Sequence, residues 1–244
     1  MDDRDLANPL ASADPVGWLG GDIRGWRVLC LAAGGGRQSV LYAAAGAEVT
    51  VVDLSPEMLA ADRAVAAERG LDVQAIEASM DDLSMLPEAR FDAVIHPVST
   101  CYVPNVRRVY EQVARVTRAG GLYLSQHKSP ASLQSSYEPR AGRYTIDEPY
   151  YRTGPLPPAP ANSRTAARLR EPGTQEFLHR WEELIGGLCR AGFVLEDLVE
   201  PQHAEPDAPD GTFAYRAKYV APYVRIKARR RGHQAATKVF TPGD

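Results

Sequence analysis

The stretch Val28-Leu-Cys-Leu-Ala-Ala-Gly-Gly-Gly-Arg-Gln-Ser-Val40 decides the fold class of this chain. An apolar run over residues 26–31 leads directly into three glycines, and a second apolar run over residues 49–52 ends at Asp53. This order is typical of a strand, a glycine turn, a helix and a second strand around a nucleotide-type cofactor. Glycine lets the backbone approach a ligand without an obstructing Cβ atom, and a helix start presents unpaired N–H groups.

The glycine spacing narrows the class of nucleotide. A dinucleotide turn has the pattern Gly-x-Gly-x-x-Gly, whereas residues 34–36 are consecutive glycines and Ser39 stands three positions later. No Lys-Ser or Lys-Thr pair follows the glycines, so a phosphate-binding P-loop is not indicated. Asp53 is placed to accept hydrogen bonds from a ribose diol. Because the glycine spacing differs from that of a dinucleotide turn, an NAD-linked reductase is disfavoured.

The stretch resembles the first motif of the class I S-adenosylmethionine-dependent methyltransferases, which reads acidic-x-Gly-x-Gly-x-Gly. The motif aligns with Cys30-x-Ala32-x-Gly34-x-Gly36, so Cys30 replaces the acid and Ala32 the first glycine. Later segments that resemble the family, and its bacterial methyltransferase type 11-like branch, follow in the expected order at residues 77–83, 91–104, 118–124 and 184–193.

The resemblance implies S-adenosyl-L-methionine as cofactor and S-adenosyl-L-homocysteine as product. The backbone of residues 32–36 would lie against the methionine half, Asp53 would hold the ribose, and Leu54 and residues 79–81 would contact adenine. The alternatives are a helix-capping role for Asp53 and an exposed acidic turn at Asp81. The implied cofactor-binding set is Ala32, Ala33, Gly34, Gly35, Gly36, Asp53, Leu54, Ser79, Met80, Asp81, His96 and Pro97.

His96 directly follows the fourth predicted strand and is the candidate catalytic residue. The resemblance puts it near the transferring methyl, where it would bind the cofactor, orient the substrate or act as a base near neutral pH. The alternative is a hydrogen-bonded structural histidine. Tyr102, His127 and His179 are candidates for the substrate pocket, and for each of them a packing or surface role is the alternative.

The alternation of strands and helices predicts an α/β, doubly wound sheet. The resemblance implies a Rossmann-like sheet of seven strands whose last strand is antiparallel, and residues 223–228 suit that strand because apolar and basic residues alternate there. Ligands of such sheets lie outside the carboxyl ends of the strands. Since the glycine turn, Asp53, residues 79–81 and His96 all follow strands, we expect them in one crevice.

Domain organisation is predicted from composition. Residues 1–25 are irregular and are interpreted as an N-terminal segment or lid, and residues 26–231 as the cofactor-binding domain. Residues 128–170 carry seven prolines and form an insertion after the fifth strand, where the family commonly places a substrate lid; the alternative is a flexible surface insertion. Helical spacing predicts a helix over residues 174–190, and residues 232–244 are expected to be a disordered tail.

Composition excludes several classes of protein. A net charge of −3 opposes a dedicated nucleic-acid binder, and no apolar run approaches the ~18 residues of a membrane helix. The acidic start lacks the features of a signal peptide. Three cysteines without metal or disulfide spacing indicate a reduced cytoplasm and no metal site. An exposed strand face, rather than an RNA site, explains the basic residues Arg225, Lys227, Arg229, Arg230 and Arg231.

The predicted activity is methyl transfer to an oxygen, nitrogen or other nucleophile of a small molecule. The signature Asn/Asp-Pro-Pro-Tyr/Phe, which the family uses for amino groups of nucleic-acid bases and glutamine, is replaced by His96-Pro97-Val98-Ser99. The alternatives are an RNA or protein methyltransferase and a protein that binds S-adenosylmethionine without transfer. Assembly as a homodimer is left open.

Overall fold

The computed structural model describes residues 3–232, and its seven strands form one sheet. The strands are β1 (Arg27–Leu31), β2 (Glu48–Asp53), β3 (Val73–Glu77), β4 (Phe91–His96), β5 (Thr117–Lys128), β6 (Phe193–Val199) and β7 (Tyr223–Arg230). Their order is β3-β2-β1-β4-β5-β7-β6. The first five strands pair in parallel, and β7 is antiparallel to both β5 and β6. This confirms the predicted doubly wound, Rossmann-like sheet with an antiparallel last strand.

Helices lie along the chain before β1 and between the later strands. They are α1 (Asp3–Ala7), α2 (Pro9–Ala13), α3 (Gln38–Ala44), α4 (Pro56–Glu68), α5 (Val106–Val116), α6 (Pro130–Gln134), α7 (Arg164–Leu169), α8 (Gly187–Arg190) and α9 (Phe213–Arg216). A 3-10 turn covers Thr100–Tyr102, and a π-helical segment, Glu182–Gly186, precedes α8. Among the described residues, no helix has the length and apolar character needed to cross a bilayer.

Both faces of the sheet are apolar, which explains why the central strands read as continuous apolar runs. Along β1, Leu29 and Leu31 join a core that includes α5, whereas Val28 and Cys30 join a second core on the opposite face. The sheet is therefore buried on both faces, and its carboxyl edge is the place where strand ends and loops can form a site.

The predicted helix over residues 174–190 is wrong in its first half. Residues 174–180 are not helical, and helical structure begins only at Trp181. Tertiary contacts take the backbone groups that a helix would need: Phe177 donates its N–H to the Cys101 carbonyl at 2.7 Å, and the Glu176 carbonyl accepts from Leu156 at 2.7 Å. The apolar residues do have helical spacing, but long-range hydrogen bonds, not this local pattern, determine the backbone conformation of residues 174–180.

The insertion over residues 128–170 holds structure of its own. It contains α6 and α7, and Leu133 and Leu156 form a small apolar cluster with Leu178. The Arg216 side chain is 1% exposed and donates hydrogen bonds to oxygen atoms of the α6 segment at 2.8–3.2 Å. These contacts fix the segment to the rest of the molecule. The predicted tail, residues 232–244, lies outside the described residues except for Gly232.

The basic residues of β7 are paired with acidic and polar neighbours. The Glu196 carboxylate on β6 bonds to Arg229 and lies 3.3 Å from the Lys227 ammonium group. Arg225 donates to the Gln126 side chain at 2.8 Å. The pairing of β6 with β7 is irregular between Leu195 and Asp197. This arrangement fits the interpretation of an exposed strand face.

Candidate active site

The glycine turn meets Asp53 at the carboxyl edge of the sheet. The Gly34 N–H donates to Asp53 Oδ2 at 2.9 Å, and the Ser55 N–H donates to Asp53 Oδ1 at 2.9 Å. A Cβ atom at Gly34 would lie 2.5 Å from the Met58 Cβ and 2.8 Å from Asp53 Oδ2. Position 34 therefore requires glycine because of close approach, and the ends of β1 and β2 converge as expected.

A second carboxylate, which the sequence analysis did not single out, holds the same turn. Asp62 on α4 is fully buried and accepts from the Gly35 N–H at 3.0 Å and the Gly36 N–H at 3.1 Å. The Ser39 hydroxyl also bonds to it. A signal exists in the sequence: Asp62 falls on the inward stripe of α4 between Leu59 and Ala66, where an apolar residue is expected.

The segment after β3 lies beside Asp53. Strand pairing places Asp53 opposite Glu77, and the Ala78 N–H donates to the Asp53 carbonyl at 3.1 Å. Within the following turn, the Ser79 hydroxyl donates to the Asp81 carboxylate at 2.6 Å. Met80 packs against the core, while the Leu54 side chain is 69% exposed. An apolar surface and an acidic turn thus flank Asp53.

His96 ends β4 and is fully buried. Its Nδ1 lies 2.7 Å from the Tyr123 hydroxyl and its Nε2 lies 2.8 Å from the Ser99 hydroxyl. Burial lowers the pKa of His96 to about 3, so the ring is neutral near neutral pH. With both ring nitrogens engaged, the geometry favours the structural alternative over the predicted role as a base.

The three predicted substrate-pocket residues gather around the 3-10 turn Thr100–Tyr102. His127 bonds through Nδ1 to the Thr100 hydroxyl at 2.8 Å, and His179 Nε2 lies 2.9 Å from the Thr100 carbonyl oxygen. The Tyr102 hydroxyl donates to the Glu171 carboxylate at 2.7 Å. Burial lowers the pKa of His127 to about 3. These contacts favour the alternative of a packing role for His127 and His179 and of a surface role for Tyr102.

A buried ion cluster adjoins this network. Glu176 is fully buried, and its carboxylate lies 2.5 Å from the Lys128 ammonium group and 3.0 Å from the Arg170 guanidinium. The side chains of Lys128 and Arg170 are only 6% and 4% exposed. No periodic pattern predicts this cluster, because its members come from three separate segments of the chain. It links the end of β5 to the segment that follows the insertion.

A cavity of about 190 Å³ lies at the ends of β4 and β5, beneath the N-terminal segment. Its lining comes from Ser12, Ala13, Asp14, Pro15, Val16, Trp18, Arg37, Gln38, Leu41, Tyr42, Ile95, His96, Pro97, Leu124, Ser125, Gln126 and Arg225. Within the described part of the chain, the Gln38 carboxamide oxygen has no hydrogen-bond partner. Tyr102, His127 and His179 lie outside this lining.

The N-terminal cover of the cavity is held by specific contacts. The Tyr42 hydroxyl donates to the Ala13 carbonyl at 3.1 Å. The Asp14 carboxylate accepts from the Trp18 N–H at 3.0 Å and the Leu19 N–H at 2.7 Å. The Trp18 indole N–H donates to Asp197 at 2.9 Å. The segment is thus anchored to α3 on one side and to β6 on the other.

Comparison with known proteins identifies the family. The sequence profile of a methyltransferase domain matches residues 29–125. The uncharacterized methyltransferase YbaJ of Bacillus subtilis (strain 168) is 35% identical over 181 residues, which cover 73% of this chain and 69% of that protein. The chain belongs to the class I S-adenosylmethionine-dependent methyltransferases. S-adenosyl-L-methionine is the cofactor of this methyltransferase.

Other similar proteins agree with this assignment. A ubiquinone biosynthesis O-methyltransferase of Xanthomonas oryzae pv. oryzae is 34% identical over 114 residues, 46% of this chain and 48% of that protein. The structure of an S-adenosylmethionine-dependent methyltransferase from Mesorhizobium loti matches 86% of this chain and 93% of its own, with a TM-score of 0.66 and 24% identity. A putative methyltransferase from Listeria monocytogenes has a TM-score of 0.69 at 17% identity, covering 91% and 98%. Both structures share the fold.

Proposed function

We propose that this methyltransferase transfers a methyl group to an oxygen, nitrogen or other nucleophile of a small molecule bound in the cavity beneath residues 12–18. The observation that carries the proposal is the cavity at the ends of β4 and β5, which the N-terminal segment lines on one side. Its volume, about 190 Å³, is below the roughly 300–1,000 Å³ of pockets for drug-sized ligands. A cavity of this volume suits a small acceptor better than a polymer segment.

The residues at the glycine turn fit the cofactor. Each Asp53 oxygen accepts one backbone N–H, which leaves lone pairs for the two ribose hydroxyls. The exposed Leu54 side chain offers an apolar surface for adenine, with residues 79–81 at its edge. Residues 34–36 present bare backbone to the methionine half. We assign these residues, with Ala32, Ala33 and Pro97 beside them, to cofactor binding.

S-adenosylmethionine supplies a methyl group on a cationic sulfur, which is already activated for nucleophilic attack. The chain's own task is to orient the acceptor, and proximity and orientation are large catalytic effects. We assign this task to Gln38, because the residue lines the cavity and its carboxamide oxygen, which has no partner among the described residues, can accept an O–H or N–H of the acceptor. His96 is neutral and hydrogen-bonded, so it shapes the cavity wall and no proton is routed through it.

The N-terminal segment, residues 1–25, acts in this proposal as the cover of the acceptor site. Its Asp14 carboxylate fixes the turn at Trp18 and Leu19. Bonds to Tyr42 on α3 and Asp197 on β6 hold the segment at one side of the cavity. The insertion over residues 128–170 lies near the same edge, because it begins where β5 ends. The two segments together restrict access to a ligand that enters between them.

An RNA acceptor has less support from the charge distribution. β7 pairs Arg229 with Leu122, which lies level with Ala93 and Val28 near the starts of β4 and β1, so the end of β7 lies toward the edge of the sheet opposite the glycine turn. The charges of Lys227 and Arg229 are also matched by Glu196. Arg225 does line the cavity, but it donates to Gln126, so these residues do not form a continuous path of unpaired cations for phosphates.

The test is the distribution of label from methyl-tritiated S-adenosylmethionine over the small-molecule, RNA and protein fractions of a bacterial extract. We expect label in the small-molecule fraction. Gln38→Leu should reduce it at least tenfold, while the exposed Gln175→Leu should leave it unchanged. Label in RNA or protein would contradict the proposal, and cofactor binding without label in any fraction would indicate a binding protein.

A further inference from the structure

Asp62 is a buried acid whose side chain accepts hydrogen bonds from the cofactor turn and from the helix after it. Its Oδ2 accepts from the Gly35 N–H at 3.0 Å and its Oδ1 from the Gly36 N–H at 3.1 Å, and the Ser39 hydroxyl bonds to the same Oδ1. The Gly35 N–H is shared with the Met58 carbonyl oxygen at 3.3 Å. A carboxylate at 0% exposure is costly unless donors surround it. The site is therefore built to hold an anion behind the turn.

The position of the motif acid is occupied by a residue that carries no charge. Cys30 lies at the end of β1 and its thiol is fully buried. Burial, followed by the negative charge of Asp62, raises the pKa of the Cys30 thiol. The thiol therefore stays protonated, and the electrostatic influence of Asp62 reaches the position where the family has its acid.

We infer that Asp62, which lies on α4, is the positioning residue for the cofactor turn. It orients the turn in place of the motif acid, whose position is occupied by Cys30 in this chain. The inference rests on the proposed binding of the cofactor at residues 34–36. Each peptide unit is planar, and no cis peptide bond occurs in the described residues. Because the N–H groups of Gly35 and Gly36 point to Asp62, the carbonyl groups of Gly34 and Gly35 point away from α4.

This orientation of the carbonyl groups determines which kind of ligand group the turn can bind. Carbonyl oxygens directed away from α4 accept hydrogen bonds from a cationic amino group, and the buried negative charge behind them strengthens the attraction. The amino-acid half of the cofactor carries such an ammonium group. The nucleoside half instead depends on Asp53, so the two carboxylates should act on different parts of one ligand.

Two ligands separate these roles: S-adenosylhomocysteine, which has the amino-acid half, and 5′-methylthioadenosine, which lacks it. In calorimetric titrations we expect Asp62→Asn to bind S-adenosylhomocysteine at least about tenfold more weakly, because an amide NH₂ would face a backbone N–H. Its affinity for 5′-methylthioadenosine should stay within about twofold. The exposed Asp72→Asn is the matched control and should bind both ligands as the unaltered protein does.

Asp53→Asn tests the underlying cofactor placement separately, since it should weaken both ligands. Unchanged affinity for both ligands in Asp53→Asn would overturn the placement. Unchanged S-adenosylhomocysteine affinity in Asp62→Asn, or an equal loss for both ligands, would overturn the role of Asp62.

Two further variants guard against a folding defect. Ser39→Ala removes one donor without changing the charge, and it should weaken S-adenosylhomocysteine alone by about threefold. The double variant Cys30→Asp with Asp62→Asn returns the acid to β1 and should recover part of the lost affinity. Unchanged S-adenosylhomocysteine affinity in Ser39→Ala, or a double variant as weak as Asp62→Asn, would contradict the proposed replacement.

Discussion

The Gly34 N–H and the Asp53 Oδ2 atom are joined by a 2.9 Å hydrogen bond, although 19 positions separate the two residues in the sequence. The bond connects the turn after β1 with the end of β2. It leaves the Asp53 carboxylate between the bare backbone of the turn and the exposed side chain of Leu54. One acidic group thus borders both halves of the proposed cofactor site.

Asp53→Ala should weaken the binding of S-adenosylmethionine by at least an order of magnitude. Two hydrogen bonds from ribose hydroxyls to a charged group are each worth ~1.5–3 kcal/mol, and alanine removes both acceptors. Isothermal calorimetry measures the affinity directly, and Asp72→Ala serves as the control because Asp72 is an exposed aspartate before β3. Equal affinities for Asp53→Ala and the unaltered protein would count against the site.

Gly34→Ala should disturb both the turn and ligand binding. The added methyl group would lie 2.5 Å from the Met58 Cβ and 2.8 Å from Asp53 Oδ2, so α4 and the Asp53 side chain must move. Overpacking of this kind typically costs about 1–3 kcal/mol. Urea denaturation and calorimetry should both report a loss. Gly154→Ala is the matched control, since no atom lies within 4 Å of the added Cβ; a similar effect in both variants would refute this reasoning.

Glu176→Gln should destabilise the protein by about 3–5 kcal/mol, because it leaves the buried cations Lys128 and Arg170 without a counter-charge. The free energy of unfolding in urea is the relevant measurement. Glu182→Gln is the comparison: the Glu182 side chain is 63% exposed, so loss of its pair with Arg180 should change stability by at most about 1 kcal/mol. Comparable losses of unfolding free energy in the two variants would show that water solvates the Glu176 cluster.

Stability should fall as the pH drops from about 6.5. Burial lowers the pKa of both His96 and His127 from 6.5 to about 3, so between these values the unfolded chain binds protons that the folded chain excludes. Above pH 6.5 both states hold these histidines neutral, and their full contribution to stability is present. Between pH 6.5 and 3 the free energy of unfolding falls by up to about 1.4 kcal/mol per pH unit for each histidine.

The window from pH 6.5 to 5 isolates the histidines in this experiment. Carboxylates with lowered pKa values, such as Asp92 and Glu196, lose their contribution only below their ordinary values of 3.8 and 4.5. Urea denaturation at several pH values in this window gives the slope. A flat profile would mean that the two imidazoles are hydrated in the folded protein.

The sheet and the convergence of its strand ends could be predicted from the sequence. Parallel strands end at one edge, so residues that directly follow apolar runs must approach one another. This argument placed Gly34 beside Asp53, and Asp53 beside the turn at residues 79–81, where the structure has them. The cap of α4 is an equally local contact, since the Ser55 hydroxyl accepts a hydrogen bond from the Met58 N–H at 3.2 Å.

The remaining features depend on tertiary packing. The position of Asp62 against the turn follows from the way α4 lies beside β1, which no short motif encodes. His96 ends a strand and lines the cavity as expected, but its hydrogen bonds to the buried side chains of Tyr123 and Ser99, which oppose a role as a base, depend on packing. Residues 174–180 carry a helical pattern, yet buried pairing of Glu176 holds them in another conformation.

The irregular pairing between Leu195 and Asp197 has a consequence for self-association. β6 is the outermost strand on its side of the sheet, and exposed backbone at such a border can recruit a strand from another molecule. Here the register shift bends the border, and the carboxylates of Glu196 and Asp197 are occupied by Arg229 and Trp18. A twofold pairing of copies through continuous β-structure is disfavoured on this flank, so a homodimer, the assembly left open above, would have to join through other surfaces.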